Sequence, residues 1–358
     1  MVVSSEAVPY VQTGGLGDVV GAISEQLAEQ GHTVHLVIPF YKAVRKIQSR
    51  LDLTITLDAL EVNMGNTSIS CRVWETNKSQ SFRVYFIEYN AFYSRDNLYD
   101  NGYEEYWDNG ERFAFFSKAA LDLAASLKLK LDIVHVNDWQ TALIPYYLKT
   151  WNWNDDLFKN TASVLTLHNM GYQGRFNPEL SGFIGLNWMQ MRSDEFEDFG
   201  QINFLKGGIF YSDIITTVSP TYANEILSEP GGSGLSHYLY RRKDDIVGIL
   251  NGIDPKIWDP KTDRYIPQNY SLEDLAGKET CKANLQKRFN FSIDPEIPIF
   301  GIVSRLAYQK GLQLLMDCAY EILDWDLQIV ILGSGDPTYS DFFNHIAAKY
   351  PGKAATYI

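Results

Sequence analysis

Cysteine is scarce in this chain of 358 residues: Cys71, Cys281 and Cys318 lie far apart and form no C-x-x-C pair. That spacing supports neither a disulfide framework nor a zinc knuckle, and it points to a reducing compartment. The six histidines form no H-x-x-x-H pair and no Cys/His cluster, so no metal site is expected. Apolar runs of membrane length are missing, and with Met1 standing almost directly on the first apolar strand no signal or transit peptide is expected within these residues. Basic charge is in deficit. Thirty-one Lys and Arg against 44 Asp and Glu give a net charge of −13, which argues against nucleic acid or an anionic membrane as the main partner. A neutral polymer meets no such objection. No internal repeat or low-complexity segment is found.

What the chain does have is length and apolar content, 45%, enough for a large core divided between two domains. The first part alternates strand and helix, the mark of a doubly wound parallel sheet. A strand at Val2 to Ser4 precedes a helix over Asp18 to Gln30, and Thr33 to Pro39 forms the next strand. Apolar runs at 81–89, 131–138, 162–169 and 213–219 continue the plan, with a helix at Gly110 to Leu127 whose Phe113, Phe116, Ala120, Leu123 and Ala124 recur at helical spacing. A glycine-rich and then charged stretch follows residue 230 and leads to a crossing at 246–252. Strands at 297–304, 326–335 and 354–358, with helices at 311–323 and 339–350, build a second domain with fewer strands than its class requires.

The most informative stretch is SSEAVPYVQTGGLGDVVGAI, residues 4 to 23. A glutamate ends a short strand, and a glycine turn then opens a helix. Gly14, Gly15 and Gly17 let the backbone approach a bulky anion, and a helix starting near Asp18 aims its free N–H groups at it. The spacing is neither G-x-G-x-x-G nor a P-loop. In open α/β sheets ligands lie at the carboxyl ends of strands, where Glu6, Asp138 and His168 stand. Asp138 also fits the N-cap of the following helix. In the second domain, Arg305 at a strand end and Lys310 at the next helix start suit a phosphate pair. LGSGD, 332 to 336, is a second glycine turn. Asp324-Trp-Asp326 precedes its strand and reads as a turn rather than a metal motif. The stretch 92–116 is rich in aromatics. Tyr93, Tyr99, Tyr103, Tyr106 and Trp107 interleave with Asp and Asn, which suits either core packing or saccharide stacking.

Taken in order, SEAVPY, TGGLGD, HVNDW, TLHNMGYQG, GQINFLKGGIFYSD, TTVSPTYA, NGID, SRLAYQKG and LGSGDP resemble the starch and glycogen synthases, the ADP-glucose-dependent bacterial and plant type, glycosyltransferase family 5. The resemblance covers essentially the whole chain. It implies a GT-B fold, two Rossmann-like domains facing a cleft, with residues 1–245 as the acceptor-side domain and 246–358 as part of the nucleotide-sugar domain. It implies retaining transfer of glucose from ADP-glucose to the non-reducing end of an α-1,4-glucan, with no cofactor beyond the donor. By the family pattern Asp138, His168, Arg305 and Lys310 are catalytic. Gln12, Gly14, Gly15, Gly17, Asp18, Asn251, Gly333 and Gly335 hold the nucleotide sugar, and Glu6, Tyr99, Trp139, Tyr172 and Gln173 hold the sugar or acceptor. Such an enzyme works in the bacterial cytoplasm or, in a plant or alga, the plastid stroma.

Two departures stand out. Gln12 occupies a position where the family usually has lysine, and it can hydrogen-bond a phosphate without neutralising it. The family's E-P-C-G-L signature does not occur in these 358 residues, so the second domain is expected to be incomplete. Three classes of function therefore stand: a glucan synthase complete only in its parent protein, a glucan- or nucleotide-binding fragment without turnover, and a dinucleotide oxidoreductase. The missing G-x-G-x-x-G disfavours the last.

Overall fold

The structure is a computed structural model describing residues 1–358. It divides into two units, Met1–Gly252 and Ile253–Ile358. In the first unit, strands β1 (Val2–Val3), β2 (Val34–Pro39), β3 (Thr54–Asn63), β4 (Ser68–Ser79), β5 (Phe82–Glu88), β6 (Ile133–Asn137) and β7 (Ala162–Leu167) join one large sheet. Three short strands, β8 (Arg175–Phe176), β9 (Glu197–Asp198) and β10 (Gln201–Asn203), make a small separate sheet. β11 (Ile214–Thr217) and β12 (Ile246–Gly248) return to the large one, whose order is β12-β11-β7-β6-β1-β2-β5-β4-β3. Pairing is parallel from β12 through β5 and antiparallel for β4 and β3. Val34, Leu36, Val37 and Ile38 of β2 are all buried, as a parallel strand covered on both faces requires.

This order positions the site. Chain progress runs one way from β1 to β2 and β5, and the other way from β6 to β7, β11 and β12, so the direction reverses between the neighbours β1 and β6. A crevice opens at such a reversal, beyond the carboxyl ends of the strands. Helices of eight or more residues are numbered here: α1 (Gly15–Glu29) leaves that edge after β1, and α2 (Asn109–Ser126), α3 (Leu143–Thr150) and α4 (Phe204–Tyr211) complete the first unit. On α2 the residues Phe113, Ala114, Phe115, Phe116, Ala119, Ala120, Leu121, Leu123 and Ala124 are all buried, so the helix is enclosed well beyond the single apolar stripe read from sequence.

The second unit carries α5 (Ala276–Arg288), β13 (Ile299–Val303), α6 (Leu312–Leu323), β14 (Gln328–Leu332), α7 (Pro337–Lys349) and β15 (Ala354–Tyr357), with the three strands parallel in sequence order. Its core gathers Leu306, Leu312, Leu323, Ile329, Ile331, Phe343 and Ile346. No helix in the structure is long and apolar enough to cross a membrane.

Several expectations change. The first unit runs to Gly252 rather than to residue 245, because Ile246, Val247 and Gly248 pair with Ile215, Thr216 and Thr217 as the last strand of the large sheet. α1 begins at Gly15 rather than Asp18, so two of the loop glycines form its first turn. The β3–β4 hairpin and α5 were not foreseen. On α5 only Gly277 and Gln286 are buried, so there is no apolar stripe to betray a helix.

Candidate functional site

Glu6 follows β1 at the reversal point and is buried. Its carboxylate accepts four bonds. Oε1 takes the hydroxyls of Thr13 and Tyr99, each at 2.6 Å, and Oε2 takes the backbone N–H groups of Thr13 and Gly14. Ser5 Oγ bonds the Tyr99 hydroxyl at 2.7 Å. Glu6 thus ties the glycine loop to a residue of the 89–108 segment. Gly14 has an extended backbone, φ −161°, that any residue adopts, and a Cβ added at Gly14 or Gly15 would meet nothing within 4 Å. Nothing inside the protein calls for glycine there. The effect of the missing side chains falls outside it, where the first N–H groups of α1 stay uncovered for an anion. Gly17 differs, since its Cβ would press on Gln12 and Val11 at 3.2–3.3 Å. Gln12 itself is exposed and donates to the Asp18 carboxylate and to Gly14 O.

Asp138 follows β6 directly and has a positive φ of 54°. Its Oδ1 accepts from the backbone N–H of His168 at 2.7 Å, and Asn169 N–H adds a second bond. It makes no side-chain cap on the helical turn that follows, so its carboxylate serves the His168 turn instead. Removal from water pushes the Asp138 carboxyl up to about 7, against the pull of those two N–H groups. Burial pushes the His168 imidazole down to about 4, with nearby Glu6 opposing. The ring is therefore neutral at physiological pH, and its Nε2 lies 3.0 Å from Asn137 Oδ1.

In the second unit, Arg305 and Lys310 are exposed at the carboxyl edge of β13 and neither side chain is in an ion pair with an acid. The LGSGD turn lies against the same edge. Leu306 bridges Gly335, and a Cβ at Gly333 would stand 1.9 Å from Ser304 O, so only glycine lets the two strand ends approach. Asp324 and Asp326 precede β14 and lie at the opposite edge, and no cluster of three or more metal-ligating side chains occurs.

A family model described as the starch synthase catalytic domain matches residues 1–241. The chain is 41% identical over 357 residues to the glycogen synthase of Pseudothermotoga lettingae, spanning 99% of this chain and 72% of that one. It is 42% identical to the glycogen synthase of Thermotoga maritima, spanning 99% and 73%. The solved catalytic domain of starch synthase IV from Arabidopsis thaliana, bound to ADP and acarbose, superposes with a TM-score of 0.88 at 31% identity, over 99% of this chain and 72% of that one. The chain belongs to the starch synthase catalytic-domain family. It is a glycosyltransferase of the GT-B class.

Within this synthase-family chain the sequence-picked residues separate by environment. Glu6, Tyr99, Asp138 and His168 come together around the β1/β6 reversal. Tyr172 is 47% exposed beside them, with its ring open to a ligand. Trp139 is no sugar platform. It is buried among Phe113, Phe176 and Phe204, and Gly174 has no Cβ because one would strike its ring. Gln173 is also buried, and its amide is engaged by Met170 O, Ser233 O and Asn203 Nδ2, which holds the 229–235 glycine stretch against the His168 turn. Asn251 is exposed beyond β12. Sequence reasoning missed Thr13, Ser5 and Asn137. Asn137 sat in plain view beside Asp138 at a strand end, and only its contact with His168 reveals a use.

Proposed function

We propose that this chain transfers glucose from ADP-glucose to the non-reducing end of an α-1,4-glucan, with retention at the anomeric carbon. One observation carries this reading: two exposed cations without an ion-pair partner, Arg305 and Lys310, stand at a strand end whose neighbouring turn is built of obligatory glycines. Cations without an internal partner are available to a diphosphate, and stabilising the departing diphosphate is the main electrostatic demand of nucleotide-sugar chemistry. In the first unit, taken by itself, the bare start of α1 suits an anionic group, neutral His168 bonds the glucosyl group, and Asp138 holds the His168 turn. Tyr172 stacks on the acceptor glucan. The acceptor hydroxyl enters on the face the diphosphate leaves. No cofactor enters this scheme, and the names of the relatives and the ADP and acarbose on starch synthase IV support it.

The test is transfer of radiolabelled glucose from ADP-glucose, against UDP-glucose, onto glycogen, with and without EDTA, followed by digestion of the product with an α-1,4-specific exo-enzyme. Labelled glucose released from chain ends, from ADP-glucose and in EDTA, is expected. Label incorporated only from UDP-glucose, or none in EDTA with recovery on manganese, would overturn the scheme.

A further inference from the structure

We infer that Asn137 is a positioning residue that locks His168 in the Nε2–H tautomer and so presents Nδ1 as a bare acceptor to the glucosyl group. The inference rests on the role proposed above for His168. Asn137 is buried, and its backbone is closed on itself through Thr141, whose Oγ1 accepts from Asn137 N–H at 2.7 Å and donates to Asn137 O at 2.9 Å. The side-chain amide has two neighbours, the Val3 carbonyl at 3.2 Å and the His168 ring at 3.0 Å. A carbonyl only accepts, so the amide NH2 must face Val3 and Oδ1 must face the ring. Oδ1 in turn only accepts, so the ring nitrogen it meets must carry the hydrogen.

Val3 therefore decides the protonation pattern of His168 through one intervening amide. Turning the amide over would set Oδ1 against the Val3 carbonyl and a donor against Nε2, losing one bond and reversing the other. Asp138 removes the remaining freedom by gripping His168 N–H, which fixes the backbone from which the ring projects. The structure gives Nδ1 no protein partner, and the ionisable group whose charge acts on the His168 ring is Glu6. A sugar hydroxyl is a donor, and a bare ring nitrogen at a fixed place is its complement.

The test is 15N NMR of the histidine-labelled protein, with His168 assigned by its loss in His168→Gln, alongside steady-state kinetics on ADP-glucose and glycogen. The wild-type ring is expected as the neutral Nε2–H form at pH 7. Asn137→Ala is expected to mix the two neutral tautomers and to lower kcat roughly ten- to a hundredfold, with KM for ADP-glucose within about twofold. Asn137→Asp keeps the shape but offers a carboxylate, so His168 is expected to become an imidazolium at neutral pH with a larger loss of kcat. Thermal unfolding of both variants separates these effects from misfolding. An Nδ1–H ring in the wild type, or an unchanged tautomer and kcat in Asn137→Ala, overturns the inference; if Asn137→Ala fails to fold, the wild-type spectrum and Asn137→Asp decide. Full turnover in His168→Gln would instead overturn the role on which it rests.

Discussion

The hydroxyl of Tyr99 donates to Glu6 Oε1 across 2.6 Å, although 93 positions separate the two residues. Tyr99 is held for this task from behind. Asn109 Nδ2 donates to Tyr99 O at 2.9 Å, and the fully buried Arg112 donates to Leu98 O and Phe92 O at the same distance. The first turn of α2 thus sets the position of the glycine loop through Tyr99 and Glu6.

Tyr99→Phe deletes the hydroxyl and nothing else. It is expected to cost about 1 kcal/mol of stability and to raise KM for ADP-glucose several-fold, because Glu6 then holds the loop with one partner fewer. Glu6→Ala should cost more, since it strands the N–H groups of Thr13 and Gly14. Chemical denaturation and donor titration read the two effects. An unchanged KM in both variants would separate the loop from donor binding.

Arg305→Ala and Lys310→Ala should each lower turnover more than about a hundredfold, as oriented charges at a developing diphosphate supply several kcal/mol. Both side chains are exposed, so melting temperatures should stay close to wild type. Full activity in either variant removes that residue from the diphosphate clamp.

Gln12→Lys is expected to lower KM for ADP-glucose about three- to tenfold, the modest end of a charge-assisted bond. Asp18 limits the gain, because it already engages the residue-12 side chain and would pair with the new ammonium. Doubling with Asp18→Asn should enlarge the effect. A rise in KM would show that the Gln12–Asp18 bond matters more to the loop than added charge.

The stability of the folded state should carry two opposed pH signatures. His168 falls from an ordinary 6.5 to about 4 in the fold, so the unfolded chain binds the extra proton between those values. The stability margin of wild type over His168→Gln is therefore largest above about pH 6.5 and shrinks as pH falls toward 4. Asp138 rises from 3.8 to about 7, so ionising it costs the fold progressively more as pH climbs through that range. Asp138→Asn should gain on wild type between pH 4 and 8. Parallel urea titrations across pH would expose either sign as wrong.

The strand ends were legible in the sequence because parallel strands buried on both faces leave continuous apolar runs, and the residue after each run falls at one edge. That is why Glu6, Asp138, His168, Arg305 and Gly333 could be picked out by number. Roles were less legible than places. Trp139 and Gln173 sit inside a motif of the right kind, yet their use depends on what packs against them, here Phe113, Phe204 and Ser233 from distant segments. Asn137 went unnoticed because an asparagine acquires its meaning from two partners, Val3 and His168, that no local pattern brings together. β3 and β4 escaped for a related reason. Much of β3 is exposed, so alternation fails where a strand extends past the core it covers.

The placement of β1 between β2 and β6 has a consequence for how the protein is made. Its partners on one side emerge within a few dozen residues, but Val2 and Val3 also pair with His135 and Val136. During synthesis at roughly 5–20 residues per second, β1 must wait for several seconds, half-paired, before β6 leaves the ribosome. Glu6 and the glycine loop are translated long before β6 and completed late, so a nascent chain arrested before β6 should lack a formed ligand edge and remain a target for chaperones and proteases.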